Sequence, residues 1–186
     1  MASTQPSAEL SGNHEDATRR LTAFLAGLAF FLSTIEYMLP RPIPFMRLGL
    51  ANLPILIAVD ILPFGQYVAL ALLKVVGMSV LTGSLFSYVA LFSLAGTLAS
   101  ALVMRALRAV AGPRMLSYVG LCVAGAVASN MAQVVLARFF VFGANARLMA
   151  PAFLALGLVS GLALGTFAQA FASRSSWLAS IREERR

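Results

Sequence analysis

A few ionisable and amide side chains interrupt an otherwise apolar sequence. Glu36, Asp60 and Lys74 fall in or beside apolar runs, and Asn130 and Gln133 are one helical turn apart in a later run. An ionised group at membrane depth costs roughly 2.5–3.5 kcal/mol or more, so each is a candidate for function. Lys74 needs a partner or a water-filled cavity: an ion pair with Asp60 and a role in ligand binding or coupling stand as equal alternatives. Asn130 and Gln133 share a helix face and are expected to bind substrate rather than a neighbouring helix.

Arginines accompany the proline-rich stretch PRPIPFMRLGLANLP at residues 40–54. A guanidinium group pairs bidentately with a carboxylate or a phosphate, and prolines pre-shape a loop so that it loses less entropy on binding. We expect the arginines of this stretch and of the last loop, with Glu36, to ring an outward-facing pocket. The alternative is that they contact lipid headgroups while the prolines cap helices. The four arginines are Arg41, Arg47, Arg138 and Arg147.

The sequence argues against several kinds of catalysis. Prenyl chain elongation needs Mg²⁺ held by clustered carboxylates, but there is no D-D-x-x-D motif, and Glu36 and Asp60 are predicted at opposite membrane faces. The single histidine, His14, lies in the polar N-terminal segment, so a Ser-His-Asp site is not expected, and no Walker motif is present. The sequence predicts no catalytic residue, no metal site and no cofactor.

The composition predicts an all-α integral membrane protein. Of the 186 residues 60% are hydrophobic and only 11% are charged, against roughly 25% charged in soluble domains. A membrane-spanning helix needs about 20 apolar residues. We expect a polar, disordered tail at residues 1–18, a membrane domain at 19–173 and a charged tail at 174–186. The six predicted spans are 21–39, 48–63, 67–83, 88–104, 116–137 and 151–172.

The basic residues predict the orientation of this bundle. The net charge is +7, but the basic residues fall mostly between apolar runs, which favours membrane topology over nucleic-acid binding. Cytoplasmic loops carry an excess of Lys and Arg. With the N-terminus inside, nine arginines are cytoplasmic and four are outside, so both termini are expected in the cytoplasm. The nine are Arg19, Arg20, Arg105, Arg108, Arg114, Arg174, Arg182, Arg185 and Arg186.

Small residues at four-residue spacing predict close helix contacts. Gly157, Gly161 and Gly165 form such a stripe in the last span. Because lipid supplies no hydrophobic drive between helices, close backbone packing has to hold them together. Packing within the bundle is the expected role, with docking to another membrane protein as the alternative. The first span is the candidate docking helix, through Ala23, Ala26, Gly27, Ala29 and Ser33.

Several short motifs resemble those of one family. RLGLANLPIL at 47–56, preceded by Pro42 and Pro44, resembles a signature of the Gx transporter family, also labelled heptaprenyl diphosphate synthase component I. Leu73-Lys74, the segments 82–87 and 93–96, and Gly125-Ala126 with Asn130 and Gln133 also match. The resemblance covers roughly residues 21–172.

This family is similar in architecture to the S components of energy-coupling factor transporters. The resemblance implies six helices with both termini inside, in a bacterial cytoplasmic membrane. It implies substrate binding from the outside beneath the first loop, with Arg47 and Asn52 at the pocket and Lys74, Asn130 and Gln133 in its core. It also implies docking through the first helix to a coupling protein with ATPases. There the usual A-x-x-x-A is replaced by Ala23-x-x-x-Gly27 and Ala29-x-x-x-Ser33.

The sequence therefore favours a membrane substrate-binding subunit for uptake of a small anionic solute. Its expected surroundings are membrane lipid and an energy-coupling ATPase complex, and no nucleic acid. The alternative is a non-catalytic membrane subunit in heptaprenyl diphosphate, isoprenoid or quinone biosynthesis. A structural scaffold in a larger membrane complex is a third option.

We expect Arg47→Ala to abolish ligand binding, because its guanidinium is the group best suited to pair with an anion at the pocket. Expression and stability in detergent should stay near wild type. The measurement is the affinity of the purified variant for the co-purifying small molecule. An unchanged affinity would contradict the pocket hypothesis.

Overall fold

A computed structural model describes residues 6–38, 49–143, 146–176 and 180–181. Side chains are described from Asp16 onward, except those of Pro113, Arg114, Arg147 and Met149. The described part folds into six α-helices, with a 3₁₀ turn at Leu50–Asn52 and a π-helical turn at Arg138–Phe142. The helices are α1 (Pro6–Met38), α2 (Leu53–Ala58), α3 (Phe64–Leu81), α4 (Tyr88–Met115), α5 (Tyr118–Ala137) and α6 (Ala146–Arg174).

Five of these helices are long and apolar enough to cross a membrane. They are the helices other than α2, and each contains at least 18 residues of suitable hydropathy. Their outward faces carry large apolar side chains that no other described part of the protein covers, among them Phe31, Val80 and Phe167. Such faces need a hydrocarbon surrounding, so the protein is a helical membrane protein.

The predicted second span at 48–63 is a much shorter structure. Its only α-helix, α2, has six residues and rises about 9 Å, against about 30 Å of hydrocarbon. Every residue of α2 is buried, and Ile55 and Leu56 are each 1% exposed. Hydropathy misled the prediction here because the interior of a helical bundle is as apolar as lipid.

The helix α1 begins further upstream than the sequence predicted. It starts at Pro6, so residues 6–18 of the segment expected to be disordered are helical. Proline fits the first position of a helix, where its missing N–H would have had no partner. The following residues extend a helix that the apolar run already forms, and extension avoids the cost of nucleation.

Side-chain contacts fix the directions of the helices. Thr22 donates a hydrogen bond to Gln66 at 2.8 Å, and Phe30 packs against Gly77. These pairs advance together along α1 and α3, so the two helices run parallel. Between them, the described residues 49–63 run from the end of the bundle near Glu36 back to the end near Thr22 and Gln66.

The later helices alternate in direction. Lys74 contacts Thr97 while Tyr67 contacts the carbonyl of Ala101, which makes α3 and α4 antiparallel. Gly96 of α4 lies beside Gln133 whereas Gly125 of α5 lies beside Ser100, so α4 and α5 are antiparallel. The glycine contacts of α6 described below make α5 and α6 antiparallel as well. Thr22 and Gln169 consequently lie at the same end of the bundle, here called the basal end, which also contains Asp60 and Tyr118. The opposite, distal end contains Glu36 and Phe142.

The glycine stripe of α6 packs against α5, as its spacing indicated. A Cβ on Gly165 would lie 2.7 Å from the Cα of Val119, and one on Gly161 would lie 3.1 Å from the Cβ of Ala126. Only the absence of side chains allows these backbones to approach so closely. Small residues thus bring α5 and α6 into direct backbone contact, the usual solution inside a membrane.

A charged cluster ties four elements together at the basal end. The Arg108 Nε lies 2.7 Å from Asp60 Oδ1, and its other nitrogens donate to Asp60 Oδ2 at 3.0 Å and to the Leu116 carbonyl at 2.6 Å. The Tyr118 hydroxyl lies 2.6 Å from Asp60 Oδ2, and the Tyr118 N–H donates to Gln169. Asp60 therefore has Arg108 as a counter-ion, a pair that the sequence did not predict.

We expect Gly165→Ala to lower the free energy of unfolding by about 1–3 kcal/mol, because the new methyl group collides with the α5 backbone. Gly27→Ala is the matched control, since nothing lies within 4 Å of its Cβ position. Alanine is the better helix former, so Gly27→Ala should leave stability unchanged or raise it by about 0.5–1 kcal/mol. The measurement is unfolding by detergent titration. Equal effects at both positions would contradict the packing.

Candidate ligand-binding cavity

A polar cavity lies between the helices, from the centre of the bundle toward the distal end. Each of the six helices contributes to its wall, and its volume is about 80 Å³. A single water needs roughly 10–15 Å³ by this measure, so the space suits several waters or part of a small solute. Five of the predicted binding residues line it: Glu36, Asn52, Lys74, Asn130 and Gln133.

The motif Gly49-Leu50-Ala51 holds the carboxylate of Glu36. The Gly49 N–H donates to Glu36 Oε1 at 2.7 Å, and the Ala51 N–H donates to Oε2 at 3.4 Å. Gly49 has a φ of +85°, a conformation that glycine adopts without steric cost. Successive N–H groups in such a turn form a concave site for an anion. Glu36 is only 6% exposed, so this site keeps a buried charge tolerable.

Lys74 contacts Asn52, which directly follows the turn that holds Glu36. Its Nζ donates to Asn52 Oδ1 at 2.6 Å and lies 3.4 Å from the Thr97 hydroxyl. Lys74 is 5% exposed. Uncharged oxygens thus solvate a positive charge that also borders the cavity. Asn52 directly precedes α2, so the short helix sets the position of its amide.

Asn130 and Gln133 form the α5 side of the wall. Asn130 Nδ2 donates to the carbonyl of Phe153 at 2.8 Å, across the close contact that Gly157 allows. Gln133 Nε2 donates to Ser129 at 3.2 Å, and Gly96 of α4 leaves space for both side chains. Each of these two amides therefore packs between helices and also lines the cavity. From the sequence alone, helix contact and ligand binding were alternatives for them.

Hydroxyl groups complete the wall and were not selected from the sequence. Three of them, Ser93, Thr97 and Ser100, follow one another along α4 and are each at most 9% exposed. Their spacing of four and three residues puts them on one helix face, a signal that could have identified the α4 side of the cavity. Ser33, Ser129 and Ser160 add hydroxyls from three other helices.

The predicted arginines are placed differently. Arg41 and Arg47 lie outside the described residues, as does the side chain of Arg147. Arg138 is exposed at the start of the π-helical turn and is not among the residues that line the cavity. Within the described part of the chain, the positive charge at the cavity comes from Lys74.

The candidate docking residues of α1 divide between two faces. Ala29 is 0% and Ser33 is 5% exposed, so the rest of the bundle already covers them, and Ser33 lines the cavity. Ala23 and Gly27 are exposed, and Ala26 is half-buried. The surface of α1 that remains open to a partner therefore includes Ala23 and Gly27 but not Ala29 or Ser33.

The described residues hold no group of three His, Cys, Asp or Glu side chains arranged for a metal ion. The fold and the cavity define a small helical membrane protein with a polar site between its helices. The family model for heptaprenyl diphosphate synthase component I matches residues 25–171, and the chain belongs to this family, also known as the Gx transporter family. No match was found among curated proteins or among solved structures.

We expect Asn52→Leu to destabilise the protein by about 1–3 kcal/mol, because it removes the closest acceptor of a buried ammonium group. Thr97→Val removes a much longer contact and should cost less than about 1 kcal/mol. The double variant Asn52→Leu with Lys74→Met should regain stability, since it removes the charge together with its acceptor. Unfolding of the variants in detergent measures the three effects. A larger loss for Thr97→Val than for Asn52→Leu would contradict this geometry.

Proposed function

We propose that this protein is a membrane substrate-binding subunit that takes up a small anionic solute into its internal cavity. The observation that carries the proposal is the cavity itself, which brings Lys74, three amides and several hydroxyls together inside an apolar bundle. A chain that only had to pack in lipid would gain nothing from burying these groups, since each is costly there. Their burial is explained if they form hydrogen bonds with a polar ligand.

The charge at the cavity favours an anion. Two backbone N–H groups already hold the Glu36 carboxylate, and the Lys74 ammonium borders the cavity, where a charge-assisted hydrogen bond to an anionic group is favourable. The cavity also borders both ends of the proline- and arginine-containing segment, because Tyr37 and Gly49 line it. Arg41 and Arg47 belong to the segment that joins Tyr37 to Gly49 in the sequence, and we retain the anion-binding role that the sequence predicts for them.

The distribution of arginines supports a basal end in the cytoplasm. Arg19 and Arg20 next to Thr22 in α1, Arg105 and Arg108 late in α4, and Arg174 at the end of α6 share this end. The positive-inside rule then directs the distal end and its cavity outward. Because α6 ends at the basal end and Arg19 and Arg20 of α1 also lie there, we propose that both termini are cytoplasmic, as in the S components that the family resembles.

Uptake needs an energy source, and we propose an energy-coupling ATPase complex as the partner. The open surface of α1 around Ala23 and Gly27 suits close helix contact. The family's description favours a second candidate, a non-catalytic membrane subunit associated with heptaprenyl diphosphate synthesis. The two candidates predict different partners, a membrane coupling protein with ATPases or a soluble prenyl synthase.

The test is purification of the tagged, full-length protein from its native host in mild detergent, followed by mass spectrometry of proteins and small molecules. We expect co-purifying transporter ATPases and an anionic metabolite. Lys74→Met should lose the metabolite by about tenfold or more, as expected for a charge-assisted contact of 1.5–3 kcal/mol. Arg174→Met is the matched control, because it removes an exposed positive charge far from the cavity.

Two results would overturn the uptake proposal. A soluble prenyl synthase in the eluate, without a coupling protein, would favour the biosynthetic candidate. Equal metabolite content in Lys74→Met and Arg174→Met would show that the cavity charge does not hold the ligand.

A further inference from the structure

A second, apolar pocket adjoins the polar cavity at the distal end. It is lined by the start of α4, the end of α5, the π-helical turn and the start of α6, and its volume is about 20 Å³. Its walls are almost entirely apolar, and Tyr88 and Phe92 form an edge-to-face aromatic pair there with ring centroids 6.4 Å apart. We call this space the side pocket, with Tyr88, Phe92, Val134, Ala137 and Phe142 as its defining residues.

Two residues belong to both spaces. Gln133 and Phe153 line the polar cavity on one side and the side pocket on the other. Gln133 directs its amide nitrogen to Ser129, and the Phe153 carbonyl receives the hydrogen bond of Asn130. The polar atoms of this boundary are thus engaged with the cavity wall, while its apolar atoms face the side pocket. A ligand that crosses the boundary meets polar groups first and apolar groups next.

The helix geometry at this point explains why the space exists. The α5 helix continues into a π-helical turn at Arg138–Phe142, and such turns shift the side chains that follow them and occur often at functional sites. The turn carries Phe142 to the side pocket, whereas Phe139 and Phe140 are 76% and 63% exposed on the outer surface.

We propose that the ligand is an amphipathic anion, with its carboxylate or phosphate head in the polar cavity beside Lys74 and a short apolar arm in the side pocket. This inference rests on the proposed function, which it deepens by defining the substrate class. A fully polar solute would leave the side pocket unused. A ligand with an apolar arm buries that arm there, and each methylene removed from water improves affinity about fourfold.

The test uses the full-length protein in lipid nanodiscs and two series of probes, methyl, butyl and hexyl phosphate and the carboxylates of matching chain length. Affinities are measured by calorimetry, with the corresponding alcohols as probes that lack the charged head. The side pocket of about 20 Å³ has room for about one or two methylenes, so we expect affinity to rise from methyl to butyl by about fourfold for each methylene that it buries. Hexyl phosphate should bind no more tightly than butyl phosphate, because the side pocket is then full. The alcohols should bind much more weakly than the anions.

Two variants separate the side pocket from the surrounding lipid. Ala137→Phe fills the side pocket and should remove the dependence on chain length while it preserves the affinity for methyl phosphate or acetate. Val135→Phe adds the same ring two residues away, at a side chain that is 53% exposed on the outer surface, and should behave as wild type. Unfolding of both variants in detergent establishes that they are folded.

Each contrary result has its own meaning. Equal affinities for the methyl and hexyl probes would overturn the amphipathic ligand and leave the proposed function standing. Chain-length dependence that survives Ala137→Phe would assign the effect to membrane lipid, and would overturn the inference as well. If no phosphate or carboxylate binds at millimolar concentration, the anionic cavity itself is wrong, and the proposed function for an anionic solute falls with it.

Discussion

A buried ammonium group in an apolar bundle has to be solvated by its own protein, and this constraint organises the centre of the molecule. Lys74 is held by an amide oxygen at 2.6 Å and borders a hydroxyl at 3.4 Å. The amide belongs to Asn52, so the short helix α2 has to start at the depth of Lys74. The hydroxyl belongs to α4. One charge thus fixes three elements relative to one another and leaves a polar space beside them.

The turn before α2 satisfies a second charge with backbone groups alone. Its two N–H groups hold the Glu36 carboxylate, so the end of α1 and the start of α2 are joined through a single side chain. The described part of the sequence motif RLGLANLP now has a physical explanation. Gly49 allows the turn, the Ala51 N–H donates to Glu36, the Asn52 amide accepts from Lys74, and Pro54 lies in the first turn of α2. The residues that hold the end of α1 and the start of α2 together also line the proposed ligand site.

Much of this arrangement was accessible from the sequence, and the failures have physical causes. Glu36, Lys74, Asn130 and Gln133 were recognisable because polar groups in apolar runs are rare and costly. The contacts of Lys74 and Asp60 were harder to predict, because their proximity along the chain suggested that they pair. In the bundle Asp60 pairs with Arg108, which is 48 residues away in the sequence. The prediction of a full-length second span failed because a segment buried by protein and a segment buried by lipid have similar hydropathy. The hydroxyls of α4 were overlooked because serine and threonine are ordinary residues in membrane helices.

The pairing of Asp60 with Arg108 also has a consequence for biosynthesis. When residues 53–81 leave the ribosome, Arg108, the counter-ion of Asp60, is still inside it. The first three helices therefore cannot reach their final depth by themselves, and Asp60 has to remain near the aqueous boundary until α4 arrives. A nascent chain arrested before α4 would carry an unneutralised carboxylate and an unsupported short helix, features by which membrane quality control could recognise an unfinished molecule.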